Sequence, residues 1–295
     1  MAIRRVLVSL VLMLAMAVVS ADDARAAGPS GTVPQYVAMG SSYAAGPGIT
    51  PIVDGSPIRC ARSTHNYAHV LASARKLSLV DVTCSGATTV DVLKGGQFGL
   101  PPQLDAVSAE TQLITVTIGG NDVFFMANLI AMSCGPDTPA ALRLLGGCVV
   151  RPDSLVAARF ASLADSLRQI VAGARQRSPK ARVVFVNYFT VLPDQGTCAR
   201  VALTAQQADQ MRAVAAHLAD ITRQVANQSQ ADLLDVATLS RAHNACSTDP
   251  WVLGAHREKG ALIPAFHPTE QGMQAVGAAL YGYLRYNDIR NKPGS

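Results

Sequence analysis

Five short apolar runs, rich in β-branched residues and separated by stretches of helical spacing, constrain this chain more than any other feature. Residues 35–40, 79–83, 113–118, 183–188 and 232–236 read as strands. They are almost continuously apolar, the pattern of parallel strands covered on both faces rather than of strands with one wet face. Between and after them, residues 64–77, 153–177, 203–227 and 268–286 carry apolar side chains three and four apart and read as helices. Strands alternating with helices predict an α/β fold, a three-layer α/β/α sandwich around a parallel sheet.

The first 26 residues stand apart from that pattern. Arg4 and Arg5 precede an apolar run from Val6 to Val19, and small residues follow at Val19-Ser20-Ala21 and Ala24-Arg25-Ala26. A run of about 14 residues is short of the roughly 20 that span a bilayer, so residues 1–26 read as a secretory signal peptide. Residues 27–295 then read as a single domain. Removing the signal takes away three arginines and two aspartates, and the net charge falls from +5 to +4. The remaining basic residues are scattered, which argues against nucleic-acid binding and leaves open a peripheral contact with envelope lipid. All six cysteines lie beyond the signal. An even count in an exported chain reads as three disulfides, and no Cys-x-x-Cys pair suggests zinc or redox chemistry. The long segments 44–59, 86–103, 133–152, 190–200 and 240–264 each contain or border a cysteine, and read as ordered loops stapled by these bonds.

In an open parallel sheet, chemistry collects beyond the carboxyl ends of the strands. The first strand runs into Gly40-Ser41-Ser42-Tyr43-Ala44-Ala45-Gly46, which reads either as a nucleophile at a helix N-terminus or as a plain helix cap. The second ends at Cys84-Ser85-Gly86, where a glycine brings a bare N–H close to a reacting carbonyl or simply marks a turn. The third ends at Gly119-Gly120-Asn121-Asp122, whose Asn121 amide can aim at an oxyanion or cap the next helix. Near the C-terminus, Pro264-Ala265-Phe266-His267-Pro268 sets a histidine at a rigid loop-to-helix junction, a position suited to a base of fixed orientation.

Taken together, these residues resemble the SGNH (GDSL-type) hydrolase family, and within it the secreted actinobacterial esterases and lipases. The resemblance spans nearly all of residues 27–295. It implies the SGNH hydrolase fold, with a flavodoxin-like five-stranded parallel sheet. Ser42 falls where the family's G-x-S-x-x-x-G block carries its nucleophile, and His267 matches the last block. Gly86 and Asn121 match the blocks that make the oxyanion hole together with the Ser42 N–H. No G-x-S-x-G elbow surrounds Ser42, so the classical α/β-hydrolase pattern is absent. The Cys60-Ala61-Arg62-Ser63 stretch and the six cysteines belong to the actinobacterial branch, which implies the pairs Cys60–Cys84, Cys134–Cys148 and Cys198–Cys246.

Two positions depart from the family. Ser41 stands where most members have Asp. The usual D-x-x-H is Pro264-Ala265-Phe266-His267, so the carboxylate that orients the base is missing. A backbone carbonyl is an obligate acceptor and can hold the imidazole in the productive tautomer, giving up only charge stabilisation. Some members of the branch use the carbonyl three residues before the histidine, which here is Pro264; Asp249 is the competing orienter. The expected protein is therefore a secreted serine esterase or lipase. It works by a Ser–His dyad through an acyl-enzyme, acts as a monomer on a lipid or acylated glycan, and uses no cofactor or metal. Rival readings are a carbohydrate O-deacylase of the cell envelope and a non-catalytic envelope-binding protein on the same fold.

Other residues invite weaker readings. His65 and His69 lie four apart on a helix without a third ligand, and His217 reads as structural. His243, Cys246 and His256 form a second cluster, but Cys246 is better placed in a disulfide. Phe98, Leu100, Phe124, Phe125 and Met126 either line an acyl pocket or pack their own loops, and Trp251 covers the cleft or anchors its loop.

Overall fold

A computed structural model describes residues 36–136, 138–255 and 264–290; the expected signal segment 1–26 and His256 lie outside them. In chain order the elements are β1 (Tyr36–Gly40), α1 (Ser42–Ala45), α2 (Tyr67–Arg75), β2 (Leu79–Asp81), α3 (Thr89–Leu93), β3 (Leu113–Thr117) and α4 (Phe125–Met132). Then come α5 (Ala140–Leu144), α6 (Asp153–Arg177), β4 (Arg182–Val186), α7 (Ala205–Gln228), β5 (Asp232–Leu234), α8 (Val236–Leu239) and α9 (Glu270–Arg290). The five strands form one sheet in the order β2-β1-β3-β4-β5, and every pairing is parallel. The near-continuous apolar runs have their physical cause here. Every residue of β1 and β3 is buried, whereas the edge strands β2 and β5 are only partly covered.

The strand order also sets the layers. From β1 the chain steps outward to β2, crosses back to β3, and then moves the other way through β4 to β5. Right-handed crossovers place the helices of opposite steps on opposite faces, α2 on one and α6 and α7 on the other. The last helix, α9, returns to pack on α2, and α6 packs on α7. The approach of α9 to α2 depends on Gly277, where a Cβ would stand 2.5 Å from Cγ1 of Val70. The core face of α6 carries Phe160, Leu163, Leu167, Ile170, Val171 and Ala174, the three-and-four spacing that the sequence shows.

Helix α6 has the expected bounds, and the other expected strands and long helices differ from expectation at their ends. The second strand stops at Asp81 rather than Thr83, because the next ladder donor, the Gly40 N–H, bonds Gln103 Oε1 at 2.7 Å instead of β2, while the Asp81 carboxylate accepts from the N–H and hydroxyl of Thr83. The first long helix starts at Tyr67 rather than residue 64. Asn66 caps it by accepting from the N–H groups of Ala68 and His69, both at 3.0 Å. A box of Thr204 and Gln207 opens α7 in the same way. The stretches read as loops at 86–103 and 133–152 contain the short helices α3 and α5.

Three disulfides staple the loops: Cys60–Cys84, Cys134–Cys148 and Cys198–Cys246. The first joins the segment after β1 to the end of β2 and is buried among core side chains. The third ties the loop after β4 to the segment that leads toward His267. Its sequence separation is 48 residues, against 14 for Cys134–Cys148. Loop-closure entropy then makes it worth about 4 kcal/mol, and the shorter one about 3 kcal/mol. Urea unfolding of the Cys198→Ser/Cys246→Ser protein should show the larger loss of the two. A larger loss for Cys134→Ser/Cys148→Ser would speak against an origin in chain entropy.

Candidate active site

Strand β1 ends at Gly40, directly opposite Thr117 of β3. Gly40 adopts φ +141°, and a Cβ there would lie 2.4 Å from the Thr117 carbonyl oxygen, so no other residue fits. Buried Gln103 reads both polar groups of this glycine. Its Oε1 accepts from Gly40 N–H at 2.7 Å, and its Nε2 donates to the Gly40 carbonyl at 3.1 Å. The Ser41 N–H then donates to Thr117 at 2.9 Å, which turns the chain sharply into α1. Ser42 is the first residue of that helix, and Gly46 closes the helix in the left-handed conformation. As the first residue, Ser42 has an N–H with no acceptor inside the helix.

His267 Nε2 lies 2.8 Å from Ser42 Oγ, and both residues are buried. The other ring nitrogen, Nδ1, bonds the carbonyl of Ala265 at 2.8 Å. This corrects the expectation of Pro264 as orienter. The Pro264 carbonyl instead accepts the backbone N–H of His267 at 3.3 Å and closes a tight turn. Phe266, third residue of that turn, has φ +59°, as in a type II turn, where the central peptide is flipped. The flip carries the Ala265 carbonyl toward the imidazole while Pro264 faces inward. Asp249 does not orient this histidine either: its carboxylate is engaged by His243 at 3.2 Å and Gln271 at 2.8 Å.

Two tyrosines that sequence reasoning passed over hold the site together. Tyr43, the residue after Ser42, donates its hydroxyl to the Phe266 carbonyl and so fastens the nucleophile's helix to the histidine turn. Its ring lies 5.5 Å from the His267 ring and 4.8 Å from that of Tyr188. The Tyr188 hydroxyl accepts from the Gly120 N–H at 2.9 Å and bonds Ser41 Oγ at 3.1 Å. Ser41, placed where the family has an aspartate, thus keeps a local hydrogen bond. Burial pushes the Tyr188 phenol up to about 12, so it remains a neutral linker. Gly120 must lack a side chain, because a Cβ would stand 2.6 Å from Cζ of Tyr188.

The turns after β2 and β3 are joined to each other. Asn121 donates from Nδ2 to the Ala87 carbonyl at 2.9 Å, which sets it beside Gly86 and leaves its second amide proton unspent. Asp122 accepts from the Thr89 N–H and hydroxyl, at 3.1 and 2.6 Å, and anchors the start of α3. Gly86 has φ +85°, and Gln97 closes over it by donating to the Ser85 carbonyl at 2.7 Å. The arrangement offers a hydroxyl with an imidazole acceptor at the end of β1, and backbone and amide donors at the turns after β2 and β3.

The remaining histidines sit elsewhere. His65 pairs with Glu270 at 2.8 Å and His69 with Asp81 at 3.5 Å. His217 stacks on Phe160, and His243 stacks on Trp251. Among the described residues, no three His, Cys, Asp or Glu side chains gather as a metal site would require. Phe125 and Met126 pack into the core, whereas Phe98 is half exposed. Phe125, Tyr188 and Phe189 also line a cavity of about 300 Å³ with Val191, Asp194, Arg212 and Arg241; Ser42 and His267 are not among its lining residues.

Burial lowers the His267 pKa from 6.5 to about 4, against a smaller upward effect of the Ala265 bond. Between those values the unfolded chain binds a proton that the folded chain refuses. The stability that rests on the neutral ring is therefore complete above pH 6.5 and lost as pH falls toward 4. From pH 7 to pH 5 the loss from this residue comes to about 2 kcal/mol. Urea unfolding of His267→Gln at the two pH values should lack that increment. An equal drop in both proteins would mean that His267 titrates as an exposed histidine does.

The GDSL-like lipase/acylhydrolase family matches residues 38–275. Lipase 2 of Streptomyces coelicolor is 36% identical over 288 residues, covering 92% of this chain and 94% of its own. An extracellular lipase of Streptomyces rimosus has a similar structure, with a TM-score of 0.65 and 28% identity over 86% of this chain and 99% of its own. Phospholipase A1 of Streptomyces albidoflavus NA297 superposes with a TM-score of 0.62 at 26% identity, covering 85% and 98% of the two chains.

Proposed function

This chain belongs to the GDSL-like lipase/acylhydrolase family and is an ester hydrolase, and from that premise we propose that Ser42 and His267 alone form its catalytic dyad. The observation that carries the reading is one imidazole bonded at both ends, Nε2 to Ser42 Oγ and Nδ1 to the Ala265 carbonyl, each at 2.8 Å. A carbonyl only accepts, so Nδ1 must hold the proton and Nε2 is free to take one from Ser42.

In the first half-reaction Ser42 Oγ attacks the ester carbonyl as its proton passes to Nε2. The developing oxyanion is met by the Ser42 N–H, the Gly86 N–H and the free amide proton of Asn121. The protonated imidazole then delivers its proton to the departing alkoxide, leaving Ser42 acylated. Water then attacks the acyl carbon as it gives a proton to Nε2, and the imidazolium returns that proton to Ser42 Oγ as the Oγ–acyl bond breaks and the acid leaves. Lacking a carboxylate partner, the imidazolium is less stabilised than in a triad, and more of the barrier lowering falls to the oxyanion donors. The lipase relatives favour an acyl ester over a sugar ester as the substrate. Three disulfides suit an oxidising compartment, and we read residues 1–26 as an export signal and residues 27–295 as the catalytic domain.

A fluorophosphonate probe should label the wild-type protein and leave Ser42→Ala unlabelled; labelling that survives the substitution would sink the assignment. On a soluble short-chain ester, Asn121→Ala should lower kcat by roughly 10²–10³-fold, while Asp249→Ala changes it little. Comparable losses in Asp249→Ala and His267→Ala would instead point to a displaced triad acid. The acid limb of kcat/KM should fall with an apparent pKa near 4, set by the buried His267. A limb near 6.5 would mean that the base is solvated in the free enzyme.

A further inference from the structure

Ten large apolar side chains are strongly exposed among the described residues, and eight of them lie between Ile58 and Phe98 or between Leu142 and Val150. These segments flank the two donor turns of the site. On one side, Ile58 is 87% and Phe98 50% exposed. Arg59 holds its guanidinium 5.4 Å over the Phe98 ring. Phe98 is held out at φ +54°, a conformation that costs a non-glycine residue. It directly follows Gln97, which closes over Gly86.

On the other side, the loop closed by Cys134–Cys148 carries Leu144 and Leu145, each 86% exposed, and Val149 beside it is 54% exposed. That loop follows α4 and returns to it. The Asn128 side-chain amide accepts from the Arg151 N–H at 2.8 Å and donates to the Arg151 carbonyl at 3.1 Å, and the Arg151 guanidinium lies over Phe124, three residues after Asn121. Arg159 lies over the same ring. Arg59, Arg151 and Arg159 therefore face aromatic rings, and among the described residues none of the three is ion-paired with a carboxylate.

We propose that these two patches are one docking face for an anionic lipid surface, with the site's mouth between them. Scattered apolar exposure is ordinary, but a concentration of it on two segments, each joined to a donor turn of the site, is not. Aliphatic and aromatic tips fit the acyl boundary of a bilayer, and the arginines meet its phosphates. A second copy or another protein fits less well. A stable interface takes roughly 800 Å² per partner, and one laid across both patches would cap the mouth. A lipid surface laid there brings ester to it. The orientation rests on the proposed ester hydrolysis; the docking itself does not.

The test is flotation with vesicles of phosphatidylcholine alone and of phosphatidylcholine with phosphatidylglycerol, alongside hydrolysis of a soluble short-chain nitrophenyl ester. The wild type should float with the anionic vesicles and less with the neutral ones. Leu144→Glu/Leu145→Glu should lose at least tenfold in vesicle partitioning while keeping soluble-ester kcat/KM within about twofold. Ile58→Glu should weaken flotation independently, which guards against a folding defect in the first variant. Equal flotation of variants and wild type would overturn the proposal, as would absence of wild-type flotation. Self-association abolished by Leu144→Glu/Leu145→Glu without vesicle binding would overturn it in favour of a second copy. Wild-type protein that floats but leaves the soluble ester intact would support the docking face and count against the hydrolase reading instead.

Discussion

The close approach of β1 to β3 at Gly40 and Thr117 is the constraint on which the site depends. The chain must leave the middle of a buried sheet, turn within two residues and start a helix. It manages this only because no Cβ stands between Gly40 and the Thr117 carbonyl. The turn buries both polar groups of Gly40, and Gln103 satisfies them from 63 residues away. The position is also the switch point of the sheet, where the crossovers diverge and a crevice opens beyond the strand ends. The nucleophile's place is therefore a consequence of strand order as much as of the serine itself.

From that turn, rigidity spreads outward through neutral hydrogen bonds rather than charges. Tyr188 links Ser41 to Gly120, Asn121 links the third strand's turn to the second's, and Tyr43 links the nucleophile's helix to the histidine's turn. All are buried or nearly so, where a satisfied network is stiff and an unsatisfied one costly. The same burial lowers the His267 pKa, since no carboxylate offsets its desolvation. A base that stays neutral well into acid is the chemical result of replacing a carboxylate with a carbonyl.

The disulfides act on the periphery of this frame. Cys60–Cys84 holds the loop after β1 against the end of β2, beside Gly86. Cys134–Cys148 and Cys198–Cys246 hold loops that would otherwise order themselves only through polar contacts. Stapling lets such loops keep apolar side chains outside the core, as Leu144 and Leu145 are kept, without collapsing onto it.

By itself the sequence determined the parallel α/β architecture, because runs such as LITVT and the three-and-four spacing of residues 153–177 report burial on two faces and on one. It also placed Ser42, Gly86, Asn121 and His267 at strand or helix ends, since glycine, proline and asparagine mark turns by their own backbone preferences. Tertiary structure alone decided which carbonyl orients His267. That depended on the left-handed Phe266 and the flipped peptide before it, a conformation no side-chain pattern announces. It also decided that Asp249 serves His243, and that Tyr43 and Tyr188 tie the site together across 223 and 147 residues. Periodicity reports which face of an element is buried; the direction of one carbonyl and the partner of one hydroxyl follow only from how the elements pack.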